Sequence, residues 1–169
     1  LCIRCHSPAG WLEGRSLPTD GSALNLNDRQ GVQCDFCHKL VKPSTQGVNP
    51  YSGDGAYTTG TYASDQAYLG TLTLRPAWSA SGMYVADAAN AKRGPFTDPV
   101  ARHQALYSPF HADAALCGTC HDVSNPAFSR QADGTYAPNR LGLPADVDNG
   151  TFDPALLFPV ERTYSEWRQ

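Results

Sequence analysis

Methionine occurs once, at Met83, lysine only three times, and no apolar run approaches the length that crosses a bilayer. With so few and so scattered lysines and a formal net charge of −3, the chain lacks the clustered basic surface that nucleic acid requires. Nucleic acid and a transmembrane segment are therefore both excluded from the expectation. Glutamate is also scarce. The acids are nearly all aspartate, which suits turns and helix caps better than long helix faces. No Ser/His/Asp arrangement, phosphate-binding loop or catalytic carboxylate pair stands out. A signal peptide is missing too, which an exported protein loses on maturation.

Glycine and proline are plentiful. The 15 glycines and 13 prolines among 169 residues make about a sixth of the chain, against roughly 12% in average usage. Such a composition favours turns and irregular backbone. Apolar residues are scattered, and Pro43 to Gly60 carries almost nothing large and aliphatic. The expected fold is mostly irregular and loop-rich, with several short α-helices and little β, as one domain over residues 1–169. Something other than side chains is expected to fill its middle.

Local signals place the elements. Gly10 to Asn27 reads as loop, and a short helix begins near Asn27 or Asp28 and runs into Cys34 to Leu40. Alternating Leu and Thr from Tyr68 to Leu74 predict a strand or hairpin arm. Asp98-Pro99 reads as a helix start, followed by Val100 to Tyr107 and ended by Pro109. Asp113 caps a helix over Ala114 to His121, which Asn125-Pro126 stops. Pro138 to Pro159 returns to loop. Thr163 and Glu166 have capping-box spacing, so Tyr164 to Gln169 opens another helix.

All six cysteines lie in three copies of one pattern: Cys2-Ile3-Arg4-Cys5-His6, Cys34-Asp35-Phe36-Cys37-His38 and Cys117-Gly118-Thr119-Cys120-His121. Two thiols at this spacing can add across the vinyl groups of one haem edge, and the histidine that follows then supplies the proximal iron ligand, His6, His38 or His121. One such motif is a weak signal, because CXXC also serves zinc and redox disulfides. Three copies that use every cysteine are a strong one. Zinc ribbons consume CXXC pairs two at a time and give no reason for a histidine after each copy. The expected cofactor is haem c, three per chain. Their separations of 32 and 83 residues are unequal, so no fixed-period solenoid is expected.

The motif neighbourhoods carry a resemblance. Ser108-Pro109-Phe110-His111, followed by Leu116 to Pro126, resembles a segment recurring in large bacterial multihaem c-type cytochromes. So do Gly31 to His38, Lys92-Arg93-Gly94-Pro95-Phe96 and Glu161 to Trp167, and together these span most of the chain. The resemblance implies an exported electron carrier, periplasmic or extracellular, whose closely spaced haems form the core. Relatives commonly continue past the segment matching Glu161 to Trp167 into further haem motifs, which this sequence does not.

Three haems have three distal positions, and two histidines remain, His103 and His111. A lone histidine is ordinarily a surface or turn residue. In a chain with five histidines, three already proximal, ligation becomes the favoured reading for both. His111 lies six residues before Cys117, about 9 Å at 1.5 Å per helical residue, too short a tether to wrap around the haem held by His121. It should reach a neighbouring haem. Met83 is the candidate for the third position, weighed against a packing role. The alternatives are an open position, the terminal amine or a histidine from another chain. Some arginines should pair with haem propionates. Trp11, Phe36, Tyr107 and Phe110 suit porphyrin faces and ordinary packing equally. Asp146 to Gly150 reads as a tight turn in preference to a calcium loop.

The function expected is electron transfer without substrate chemistry. Its rival is a reductase of a small nitrogen or sulfur compound with one five-coordinate haem. Haems near the surface, few steering lysines, a motif at the first residues and a helix opening at the last predict work inside a larger assembly. The partners expected are redox proteins or copies of the same chain, the latter as a homopolymer or filament.

Overall fold

The computed structural model describes residues 2–43, 63–73, 80–139 and 156–169. Helix α1, Cys2–His6, is followed at once by α2, Pro8–Leu12, with Ser7 between them and Pro8 at a first-turn position where its missing N–H costs nothing. The segment expected as loop from Gly10 thus begins as helix. Gly10 permits close packing here, since a Cβ would lie 2.6 Å from Leu24 and 2.9 Å from Asp28. Asp28 is 1% exposed and accepts two bonds from Arg15, at 2.6 and 2.7 Å.

From Asp28 the expected continuous helix does not form. A single 3-10 turn, Asp28–Gln30, ends at Gly31, whose φ of +81° turns the chain before α3, Cys34–Cys37. Strand β1, Leu40–Val41, follows directly.

Tyr68 and Leu69 belong to a helix and not to the expected strand. Helix α4 spans Ala63–Leu69, and Asp65 and Leu69, four apart on one face, are both fully buried. Leu74 lies outside the described residues, as does the Asp146 to Gly150 turn. Strand β2, Val85–Ala86, pairs antiparallel with β1.

The helix expected over Val100 to Tyr107 is absent. Val100, Arg102, His103 and Gln104 are all exposed, so a helix there would have had no apolar face to bury. Instead β4, Ala105–Tyr107, pairs in parallel with β3, Lys92–Gly94. Pro109 starts a 3-10 turn, Pro109–Ala112, where it was expected to end a helix. Asp113 does serve the next helix, α5, Ala115–Gly118, by accepting the Ala115 N–H at 2.9 Å.

Asn125-Pro126 lies within a strand. Strand β5, Val123–Arg130, is the middle of a three-stranded antiparallel sheet between β6, Tyr136–Pro138, and β7, Leu157–Glu161. Its register against β7 shifts between Asn125 and Ser129, and Pro126 sits in that irregularity, where no ladder N–H is required. The loop expected up to Pro159 therefore ends at Leu157, with 140–155 outside the described residues. Helix α6, Thr163–Arg168, forms as expected, but Thr163 is inside it and its N–H goes to Glu161 Oε1 at 2.8 Å. The described strands make three small sheets, where the composition predicted little β.

Among the described residues, buried apolar side chains form two small clusters. Phe36, Leu40, Phe110, Ala115 and Tyr164 form one, and Val41, Leu69 and Val85 the other. Many of the remaining buried residues are polar, including Asp28, Lys42, Asp65, Asp87, Arg93 and Asp122. Among the described residues no helix is long and apolar enough to cross a membrane.

Candidate functional site

Each motif folds as about one helical turn, because the four-residue span from first cysteine to histidine matches one i to i+4 bond. The N–H of His38 bonds the Cys34 carbonyl and that of His121 the Cys117 carbonyl, both at 2.9 Å. The turn gives all three motifs one pattern of exposure. Cys2, Cys34 and Cys117 are exposed, as are His6, His38 and His121, while Cys5, Cys37 and Cys120 are half-buried. All six thiols are free. Among the described residues no three His, Cys, Asp or Glu side chains form a group that could hold a metal ion by themselves.

The tertiary fold gathers the motifs. Cys5 of the first and Cys120 of the third share a hydrogen bond, which together with Arg4 lowers Cys5 to about 7 against its partial burial. Cys120 is pushed up by the same bond, by burial and by neighbouring thiols. Burial raises Cys37 of the second motif, and the charges of Cys34 and Cys117 add to that.

Tyr84 stands at the junction. Its ring meets Phe36 edge-on at 4.8 Å and Trp11 at 5.6 Å, and its hydroxyl donates to the Arg4 carbonyl at 3.1 Å. Burial, then Cys120 and Cys5, push its hydroxyl well above the usual phenol range. Beside it the turn through Ser81 and Gly82, both at positive φ, wedges between motifs one and three. Ser81 and Gly82 donate their N–H groups to Asp122 and Thr119 at 2.9 and 2.8 Å. A Cβ on Gly82 would sit 2.8 Å from Arg4 and 3.0 Å from Cys5 Sγ, so only glycine fits. Met83 is thereby brought to motif one, where its sulfur accepts from Arg4 Nη1 at 3.6 Å.

At motif two, His38 Nδ1 donates to the Arg93 carbonyl at 2.6 Å, and the Arg93 N–H returns a bond to the His38 carbonyl at 2.7 Å. A carbonyl only accepts, so Nδ1 carries the hydrogen of this bond and Nε2 is left to face other partners. Asp35 is held well below the usual carboxylate range by Lys92 first and then Lys39. His111 is brought here as well, its ring 6.0 Å from that of His38 and 18° from parallel. Its Nε2 lies 3.0 Å from the Leu40 carbonyl, and burial lowers its pKa, keeping it neutral. His103, by contrast, is exposed and sits 3.2 Å from the carbonyl of its own neighbour Gln104.

At motif three a groove of about 250 Å³ is lined by Ala114, Cys117, His121, Thr163, Tyr164 and Trp167. The Tyr164 and Trp167 rings lie 6.2 Å apart and 29° from parallel. Tyr164 reaches this place because Gly118 has no side chain, since a Cβ there would stand 2.4 Å from the ring. The Tyr164 N–H also bonds the His121 carbonyl at 2.9 Å. His121 Nδ1 is 4.0 Å from Glu161 Oε2, and the buried Asp122 accepts from Ser165 Oγ at 2.7 Å.

Of the aromatics singled out in the sequence, Trp11 and Phe36 join the junction and Phe110 the core, while Tyr107 is exposed on β4. Sequence reasoning missed Tyr84 and the individual role of Arg93. Tyr84 had no local signal beyond its place beside Met83, and Arg93 was visible only as part of the Lys92 to Phe96 segment. Comparison with known proteins finds no matching family, no matching curated protein and no matching solved structure.

Proposed function

We propose that this chain is a three-haem c-type cytochrome that transfers electrons. Cys2 and Cys5, Cys34 and Cys37, and Cys117 and Cys120 would form the thioether bonds, with His6, His38 and His121 as proximal ligands. The observation that carries the reading is the shared geometry of three gathered turns, each with its first thiol and its imidazole facing out. Haem c, when bound, supplies a one-electron iron couple. The donor set fits it: six thiols are free, His38 has a free Nε2, and an apolar groove opens beside Cys117 and His121. Among the described residues the apolar clusters are small, which accords with a large cofactor acting as core.

For the distal positions the candidates remain His111, His103 and Met83. His111 would exchange its bond to Leu40 for iron beside motif two, and Met83 would leave Arg4. A redox protein or further copies of the chain would meet it at exposed apolar residues such as Phe96, Val100 and Trp167. Export to the periplasm or the cell exterior accords with the resemblance to multihaem cytochromes.

Acid-acetone extraction followed by mass spectrometry and pyridine haemochrome quantitation tests the proposal. Three haems per chain that survive extraction are expected, since thioether bonds outlast coordination. Bound zinc, or haem that washes out, would overturn the reading. A high-spin signal from one iron would move it to the reductase.

A further inference from the structure

Arg93 is the largest fully buried side chain among the described residues, at 1% exposure, and it is charged. Its Nε donates to Asp65 Oδ1 at 2.8 Å and its Nη1 to Asp87 Oδ2 at 2.7 Å. Asp65 also accepts from Ser108 Oγ at 2.6 Å and from the Lys42 N–H at 3.3 Å. The guanidinium lies over the Tyr68 ring at 5.5 Å. A buried ionic cluster of this kind is weak evidence for stability, because desolvation offsets much of its Coulomb attraction. What it does supply is a fixed position.

The cluster fixes motif two in particular. Arg93 brackets His38 with both of its own backbone groups, at 2.6 and 2.7 Å. Asp87 donates its N–H to the carbonyl of Lys39, the next residue, at 2.8 Å. Two successive residues at the end of a four-residue helix are thus held by two backbones whose side chains are ion-paired to each other. His38 is itself exposed, so packing does little to orient its ring. The other proximal histidines lack this support. The partner of His121 is Glu161, at 4.0 Å, and His6 is exposed.

We propose that Arg93, Asp65 and Asp87 are positioning residues that hold the His38 ring and its Nδ1–H bond, making that bond the firmest among the three proximal histidines. The inference rests on the three-haem reading. A stronger Nδ1–H bond raises imidazole basicity and favours ferric iron, so the site at motif two has the lowest potential of the three proximal sites, other things being equal.

The test uses the full, haem-loaded chain and its Arg93→Met, Arg93→Lys and Asp87→Asn variants. Covalent haem is counted first by mass spectrometry, then the three potentials are measured by spectroelectrochemistry. Solvent exchange of the histidine Nδ1–H protons is followed by NMR with 15N-histidine labelling. One slowly exchanging Nδ1–H is expected in the parent. In Arg93→Met that protection is lost and one potential rises while the other two stay, with three haems retained. Arg93→Lys, still able to pair one acid, falls between. If Arg93→Met does not fold, Asp87→Asn, which keeps the Arg93–Asp65 pair, should show the same single-site shift in smaller degree. Unchanged exchange and potentials, or a common shift of all three, overturn the positioning role. A parent chain without covalent haem overturns the three-haem reading and this inference with it.

Discussion

Gly118 lies inside the third CXXCH motif, yet its constraint comes from a residue forty-six positions away. Alanine normally favours helix over glycine by about 1 kcal/mol. Here its Cβ would enter the ring of the buried Tyr164. Gly118→Ala should therefore destabilise the protein by about 1–3 kcal/mol in chemical denaturation, the usual cost of overpacking. Asp28 gives a second residue-scale expectation. Arg15 holds its carboxyl below the ordinary range, so the native state favours the charged form. A depressed carboxylate pKa contributes stability above the unfolded value near ~3.9, and that stability is lost as pH falls through the folded value. Asp28→Asn should lower the thermal midpoint at pH 7 and weaken the acid dependence below about pH 4.

At the scale of elements, the motif helices are too short to persist alone, since nucleating a helical turn costs more than one or two bonds return. Helix α3 has four residues and is anchored through Phe36 on one side and the Arg93 cluster on the other. Under the three-haem reading, thioether bonds at Cys34 and Cys37 would be the third anchor. Replacing both by alanine should then expose the amides of α3, β1 and β3 in hydrogen exchange while β5, β6 and β7 stay protected. A double variant with the exchange pattern of the parent would show that the cofactor is not part of this core.

For the whole molecule, the described residues bury two apolar clusters of only five and three residues. Exposed Phe96, Val100 and Trp167 add apolar surface that a partner could cover. Under the three-haem reading, light scattering and native mass spectrometry on the haem-loaded chain should detect association with itself or with a redox partner that strengthens with concentration. A compact monomer at every concentration tried, with every haem ligand internal, would leave a simple soluble carrier as the better reading.

The three motifs were legible in the sequence because their pattern is local, two thiols and an imidazole within five residues, whereas the helical turn each one adopts is held by its tertiary neighbours. Helix α6 was legible for the same reason, although its first N–H turned to Glu161 and not to the expected box. Where the pattern was weaker, tertiary contacts decided. Leu69 made α4 a helix by meeting Val41 and Val85, and the exposed stretch through Val100 stayed out of helix, with β4 beyond it pairing with β3. Nothing in the linear order says that Tyr84 joins motif one to motif two, or that Arg93 holds His38 across 55 residues. The first rests on aromatic packing with Trp11 and Phe36 and the second on burying two carboxylates and a guanidinium together, and only the folded chain brings these groups into contact.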